Sequence, residues 1–507
     1  MVAGVEIERK YDVHEDALLP PLGGLPGVTS VEESAADQLE TVYFDTENLV
    51  LAGRGISLRR RTGGGGSGWH LKLPTGRKKR SEIREPLGTD PDRVPDHLLG
   101  FVHVYVRGRT MEPVVRLRTR RTVHRLHGEG NSVLAAIIDD QVLVENILHD
   151  PGKRWREWDI ELVDGSEDLL NAAQSILTGA GARWAVHPIT PAWTLGDRDP
   201  RDEPISPRIS PRRPKGKEPA GTMLLAFMHR QVSELIRHDP GVRSGEPDSI
   251  HLMRVSARRM RSALATYRTL LDPGVADSLR DELKWLADVL GTSRDTVIIQ
   301  SRLRKLISAD PAELVMGPIS QRIGEELGAE QHKARAEILA ALENERYYRL
   351  LDGLERLLSA PPLTSPASNP ARKTARALIR KDVRRLRRAV GTAKAAQDGS
   401  ARDQSLHEAR KRAKRLRYAV EAASTVCGKR GARVAAAAHD IQIMLGHHHD
   451  SVVIRSLVRR LGAEAHLRGE NGFSYGRLHH MEESRAKESE AEFDQAWKRF
   501  PKSSFGK

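Results

Sequence analysis

Two sets of residues in this chain are spaced for chemistry with anions. The first opens it: Glu6-x-Glu8-x-Lys10. On a strand, side chains two apart share a face. The three charges therefore project together, while Val5, Ile7 and Tyr11 mark other surroundings. Later strand-like runs repeat the theme. Arg59 and Arg61 share a face, Lys72 sits in WHLKLP, Arg80-x-Glu82 follows, Arg118 and Arg121 come from another run, and Asp159-x-Glu161 from the last. Many strands with charge on one face predict a barrel with a charged lumen. Acids facing bases there would suit a metal-bound oligophosphate, because carboxylates hold Mg²⁺ or Mn²⁺ and Arg and Lys bind phosphate oxygens. The matching chemistry is metal-assisted hydrolysis by an in-line water. No residue stands out as the general base.

The second set is a repeat. His251-x2-Arg254-x3-Arg258-Arg259-x-Arg261 returns as His407-x2-Arg410-x3-Lys414-Arg415-x-Arg417, five matched positions at one constant offset of 156 residues. Each copy leads to a second signature, Leu290-Gly291-x3-Asp295 and Leu445-Gly446-x3-Asp450. Two copies of one helical unit are therefore expected, each with a cationic stripe. At 100° per residue His251 and Arg258 fall about 20° apart, and the stripe runs about 15 Å. That is a track for an extended anion rather than a pocket for one phosphate. Lys411 extends the second stripe, and Arg376, Arg380, Arg384 and Arg387 form a third. His447, His448 and His449 diverge by 100° each on a helix, so they cannot all meet one ion; capping the helix towards the same groove is the alternative.

The elements that must position these residues follow from punctuation. Residues 197–219 carry six prolines and many charges without apolar periodicity, which reads as a linker. A second break, APPLTSPASNPA at 360–371, separates the helical copies. The expected division is 1–196, 220–359 and 372–500. The first segment alternates charged and apolar positions in short runs, as strands do, with a helix at 166–181. GGGGSG at 63–68 reads as a hairpin tip, since it lacks the Lys-Ser/Thr of a phosphate loop. The remainder has apolar residues at three- and four-residue spacing, as helices do. The expected class is therefore α+β multidomain: an antiparallel β tunnel, then an all-α part.

Charge divides the same way. Residues 1–200 hold 25 Lys+Arg against 30 Asp+Glu, a net of −5, and residues 201–507 hold 57 against 38, a net of +19. An acidic module joined to an anion-binding one is the natural reading. The single cysteine, Cys427, excludes an intramolecular disulfide and fits a reducing, cytoplasmic setting. The first residues lack an apolar signal core, and no run approaches a membrane span. Aromatics are 4% of the chain, which leaves few platforms for base stacking, so nucleic acid is not the expected partner.

Glu-x-Glu-x-Lys at the start, Tyr43-Phe44-Asp45-Thr46, Leu58-Arg59-Arg60-Arg61 and the late acidic pair together resemble the CYTH, or triphosphate tunnel metalloenzyme, family over about residues 1–195. The resemblance implies an eight-stranded tunnel that binds triphosphates and Mg²⁺ or Mn²⁺, in a family that includes triphosphatases and adenylate cyclases. It implies Glu6, Glu8, Asp140, Asp159 and Glu161 as metal ligands. Lys10, Arg59, Arg61, Lys72, Arg80, Arg118 and Arg121 become phosphate binders, and Glu82 joins Glu6, Glu8 and Lys10 as catalytic. The chain differs in having Asp159 where a glutamate is usual, and in lacking a C-terminal Ser-Lys.

The helical repeat and its Leu-Gly signature resemble the CHAD family over about residues 220–500. This implies two four-helix bundles around a groove that binds inorganic polyphosphate, with cytoplasmic polyphosphate granules as a place of work. Its anion-facing residues would be His251, Arg254, Arg258, Arg259, Arg261, Arg376, Arg380, His407, Arg410, Lys411, Lys414, Arg415 and Arg417. Two readings stay open beside a triphosphatase: a non-enzymatic polyphosphate binder with a degenerate tunnel, and a cyclase-like enzyme acting on nucleoside triphosphates.

Overall fold

The computed structural model describes residues 8–74, 80–146, 151–185, 217–246, 248–397 and 399–501. The chain separates into two compact units, Met1–Ile205 and Ser206–Lys507. Glu6 lies outside the described residues, as does most of the proline-rich segment; Glu8 and Arg80 are described in their backbones only.

The first unit is one antiparallel sheet. Eight main strands run β1 (Glu8–Val13), β3 (Asp37–Asp45), β4 (Ser57–Thr62), β5 (Gly68–Pro74), β6 (Arg80–Glu85), β7 (Glu112–His127), β8 (Val133–Asn146) and β9 (Pro151–Leu162). Two short strands raise the count to ten: β2 (Ser30–Glu33) on β7, and two-residue β10 (Arg183–Trp184) on β1. The order is β10-β1-β9-β8-β7-β3-β4-β5-β6. Among the described residues no ladder joins β6 back to β1, so the eight-strand expectation holds for the main strands while closure does not follow from the pairing. The glycine run is the tip between β4 and β5, as its composition predicts.

Register decides which charges meet. Lys10 pairs with Asp159, Glu157 with Asp140, and Asp140 with Arg121. On the far half Arg59 pairs with Tyr43 and with His70, and Lys72 with Glu82. Directly opposed residues in a sheet share a face, so all of these lie on one side. The other side is apolar and covered. Tyr11, Ile137, Trp158 and Ile160 pack with Leu169, Ala173 and Leu177 of α2 (Glu167–Gly179). Val42, Phe44, Leu58, Trp69 and Leu71 pack with Leu98, Val102 and Val106 of α1 (Asp96–Val106). Strict alternation along the strands thus separates two helix-covered cores from one charged face.

The second unit has nine α-helices among its described residues: α3 (Ala220–Ser244), α4 (Ser249–Thr266), α5 (Pro273–Ala309), α6 (Ile319–Glu343), α7 (Glu345–Ser359), α8 (Ala371–Ala395), α9 (Ser400–Ala422), α10 (Ser424–Leu467) and α11 (Phe473–Lys498). The two basic stripes are α4 and α9. Their buried faces match position for position: Met253, Ala257, Met260 and Ala263 against Ala409, Ala413, Leu416 and Ala419. The alanines let the helices approach closely.

The segment at 360–371 is ordered rather than a loose connection. Pro219 and Pro370, each just before its repeat, form a β-bridge with one another. The Thr364 hydroxyl donates to Thr269 O at 2.6 Å.

The bundles also draw on both repeats. Leu303 and Leu306 of α5 and Ile319 and Ile323 of α6 share a core with Ile454 and Val458 of α10 and Tyr475 and Leu478 of α11. Arg302 donates to Glu482 at 2.8 Å and to Ser451 at 2.7 Å, across the repeats. The Glu482 side chain is 0% exposed. Removing one member of such a pair strands a buried charge, at a cost of about 3–5 kcal/mol, whereas an apolar pair of similar volume is often neutral. Glu482→Ala should therefore lower the urea midpoint of the helical transition sharply, followed by far-UV circular dichroism. The double change Arg302→Met with Glu482→Leu should recover most of it.

Candidate anion sites on a charged sheet and a helical groove

On the sheet, three acids converge. Oxygens of Asp140, Glu157 and Asp159, all buried, lie within 4.8 Å of one another. Lys10 Nζ bridges Glu157 at 2.9 Å and Asp159 at 2.7 Å, and Arg121 grips Asp140 through Nε at 2.7 Å and Nη2 at 2.6 Å. Burial pushes the Asp159 carboxyl up to about 7, with neighbouring Glu157 adding to it and Lys10 opposing it. Asp159 Oδ1 is buried without a hydrogen bond. An orphaned oxygen among three carboxylates is what a hard divalent cation takes, so the donor set fits Mg²⁺ or Mn²⁺.

Across the sheet the sign reverses. Burial lowers the Arg61 guanidinium to about 10, and Arg59 and Arg121 lower it further. The Nε atoms of Arg59 and Arg61 are buried without hydrogen-bond partners. Guanidiniums that lower one another in this way favour an anion among them.

The structure places several expected residues differently. Lys10, expected on phosphate, pairs instead with the acids, because register sets it opposite Asp159. Arg118 lies on the opposite face, opposed to Leu143 while Arg121 opposes Asp140, and it pairs with Glu145 at 3.1 Å. One residue of offset reverses the face. Glu82, expected as a catalytic acid, sits among cations. His70 Nδ1 lies 3.1 Å away, Arg84 Nη2 2.8 Å, and Arg59 and Lys72 3.9 Å each. Those neighbours outweigh its burial and hold its carboxyl well below the usual range. It balances the charge of those neighbours.

Glu157, His70 and Arg84 are absent from the sequence-derived set. Glu157 was within reach: it precedes Asp159 by two residues on the same strand face. The same rule reaches His70, two residues before Lys72, and Arg84, two after Glu82.

In the helical unit the two stripes face one another. Arg258 is lowered to about 10 by burial, and by Arg254 and Arg261 of its own helix and Arg410 of α9. Lys414 is lowered to about 6 by burial, then by Arg258, Arg410, Arg254 and Arg417. The Leu-Gly signature has a physical reason. A Cβ on Gly291 would stand 2.9 Å from Arg254 Nη2, and one on Gly446 3.5 Å from Arg410 Nε. The first is a close approach and the second an ordinary contact, so each signature glycine lies against the leading arginine of its own repeat.

The adjacent basic pairs divide their labour. Arg258 and Lys414 face the cluster, while Arg259 and Arg415 hold the copies together. Arg259 meets Glu421 at 3.2 Å; Arg415 meets Asp382 at 3.2 Å and Ala265 O at 2.9 Å. Lys411 turns outward to Glu408 at 3.6 Å. Arg376 lies near Cys427, whose thiol is pushed up to about 11 by burial; Arg380 follows one turn later on α8. His407 is lowered to about 4 by burial, Lys411 and Arg410, and its ring stacks on His449 at 4.1 Å. His251 is exposed. His447–His449 cap nothing, since α10 continues to Leu467. His448 is instead buried against Glu490 at 3.1 Å and Asp403 at 3.3 Å.

Comparison with known proteins agrees with this two-part architecture. The CYTH domain family matches residues 4–180, and the CHAD domain family matches residues 226–459. A relative from Mycobacterium tuberculosis (strain ATCC 25618 / H37Rv), the uncharacterised protein Rv2226, is 36% identical over 515 residues, covering 98% of this chain and 96% of its own. The chain belongs to the family that joins a CYTH domain to a CHAD domain. Two solved structures are similar over part of the chain. PptA from Streptomyces chartreusis is 23% identical with a TM-score of 0.47, over 55% of this chain and 99% of that one. The CHAD domain of the plant Ricinus communis is 22% identical with a TM-score of 0.46, over 58% and 96%. No helix among the described residues is long and apolar enough to cross a membrane.

The acid cluster of the CYTH domain generates a test in metal-free protein. An Asp159 carboxyl raised from 3.8 to about 7 means the native state holds that proton more tightly than the unfolded state does. Its stabilising contribution is full below the unfolded value and is lost as pH climbs through the folded one. Calorimetry in EDTA should show stability falling between about pH 4 and 7. Asp159→Asn should flatten that slope.

Proposed function

We propose that the CYTH domain hydrolyses a short phosphoanhydride, inorganic triphosphate above all, with a divalent metal ion, and that the CHAD domain holds inorganic polyphosphate. The observation carrying the first half is one sheet face that gathers three buried acids beside the mutually repelling Arg59, Arg61 and Arg121. Asp140, Glu157 and Asp159 would hold the ion, with Glu161 of the same strand face at hand. Bound there, Mg²⁺ or Mn²⁺ supplies neutralisation of phosphate oxygens and a positioned water. Arg59, Arg61 and Lys72 bind and orient the phosphate chain through charge-assisted hydrogen bonds. Lys10 and Arg121 hold the carboxylates in place until the ion and substrate enter.

One observation favours a tunnel that binds without hydrolysing: Lys10 and Arg121 already neutralise the acids. Phosphate release separates the two readings. Tripolyphosphate, ATP and long-chain polyphosphate are compared with Mg²⁺ and with Mn²⁺. Release from tripolyphosphate is expected, abolished in an Asp159→Asn, Glu157→Gln variant. Arg61→Ala should lose about 10²–10³-fold, the scale of removing one preorganised electrostatic partner. Arg118→Ala should stay near wild type, because that side chain lies on the other face. No release with either metal leaves the binding reading.

For the CHAD domain, the full chain should bind long-chain polyphosphate with an affinity that falls steeply with salt, through counterion release. Arg254→Glu, Arg258→Glu, Arg410→Glu and Lys414→Glu together should remove most of that binding. A preference for duplex DNA at matched charge would overturn the polyphosphate assignment.

A further inference from the structure

The groove between α4 and α9 cannot relax by opening. Tyr267, fully buried, donates to Ala419 O at 2.8 Å. Arg415 donates to Ala265 O at 2.9 Å, and the Thr266 hydroxyl donates to Asp382 at 2.6 Å. Arg259 and Arg417 share Glu421 at 3.2 and 3.3 Å. These bonds fix the two helices while Arg254, Arg258, Arg410, Lys414 and Arg417 stand within electrostatic reach of one another.

The groups facing Lys414 are cationic on both packed helices: Arg254 and Arg258 from α4, and Arg410 and Arg417 from its own helix. On α10, Gly446 lies against Arg410, and His439 takes Arg417 Nη1 at 2.7 Å. On α8, the Asp382 carboxylate is taken by Arg415, Arg385 and Thr266. Glu421, the acid at the end of the stripe, is held by Arg259 and Arg417.

Repulsion among fixed charges has one other outlet, which is to lose a proton. A guanidinium holds its proton at any working pH, whereas an amine does not. Lys414 stands where the first repeat has Arg258, so it is the stripe position at which the copies differ in this capacity. We propose that polyphosphate enters this groove together with a proton, taken up by the Lys414 amine. In the empty groove burial and the surrounding guanidiniums destabilise the Lys414 ammonium, lowering it to about 6. A polyanion cancels that repulsion, returns the amine towards its ordinary range and draws in the proton. The inference rests on the polyphosphate reading of the groove.

Linkage gives the sign. When the bound state holds more protons than the free state, affinity rises as pH falls, by at most about tenfold per pH unit for one proton. The gain levels off below about pH 6, where Lys414 is charged in both states. The test titrates full-length protein with long-chain polyphosphate from pH 6 to 8.5 at constant ionic strength. Calorimetry in buffers of different ionisation heat counts protons directly. Wild type should weaken severalfold or more across the range and take up a substantial fraction of a proton near pH 7.

Lys414→Arg should bind with little pH dependence and little uptake. Lys414→Met should bind more weakly, also without the slope. His407→Ala should keep the wild-type slope, which separates Lys414 from the stacked histidine. Circular dichroism confirms that each variant is folded, and the proton count on wild type stands alone if one is not. Binding that is flat with pH, or a slope surviving in Lys414→Arg, overturns the linkage and leaves the groove assignment intact. No polyphosphate binding at any pH overturns both.

Discussion

Like charges that the fold does not let separate are the constraint on which both units turn. In the CYTH domain the constraint is sheet register. Backbone ladders place Arg121, Arg61 and Arg59 on one face, and three carboxylates on the neighbouring strands of that face. In the CHAD domain it is the buried Tyr267–Ala419 bond and the Arg415 anchor, which press two cationic stripes together. Preorganised repulsion is costly in the free protein. It is recovered when an ion of opposite charge arrives, without the reorganisation that flexible side chains would require.

The two solutions differ in how the cost is kept down. The sheet site mixes signs: Lys10 sits on the acids, Glu82 sits among the cations, and Asp140 is gripped by Arg121. Each half carries its own counter-charge, so the face is nearly self-neutralising until a ligand displaces these pairs. The groove has less compensation. Glu421 and Asp382 are drawn to Arg259, Arg417 and Arg415, which brace the helices, while Arg254, Arg258, Arg410 and Lys414 stand within electrostatic reach of one another. A site with internal counter-ions suits a small ligand that brings its own metal. A site of one sign suits a long polyanion, whose binding is dominated by released counterions.

Much of this was legible in the sequence, and the limits are instructive. The two-part architecture followed from alternation before residue 196 and three- and four-residue spacing after it. The helical repeat followed from one offset in five residues. The eight main strands were expected; β2 and β10 were not, because four and two residues carry no periodicity. The cross-repeat bundle was not visible either. Leu303 and Ile454 each look like an ordinary core position of their own helix, and only tertiary packing assigns them to one core. Sequence alone leaves the faces of the arginines in Arg118-Thr119-Arg120-Arg121 open, because they fit either alternation; pairing of Arg121 with Asp140 and of Arg118 with Leu143 decides it.

The Leu-Gly signature shows how a motif recognised only as a pattern acquires a cause. In sequence it is a marker some forty residues after the basic stripe. In the fold each signature glycine lies against the leading arginine of its own repeat, closely at Gly291 and at ordinary contact distance at Gly446. The two copies are not equivalent, however. Arg258 and Lys414 occupy the same place in the repeat, yet only one can change its charge. An internal duplication starts with identical halves; a single arginine-to-lysine difference inside this cluster puts an amine, which can give up its proton, where the other half keeps a guanidinium. That asymmetry is invisible to a count of basic residues. It arises because burial and the surrounding guanidiniums act on an amine through its proton, whereas they leave a guanidinium charged.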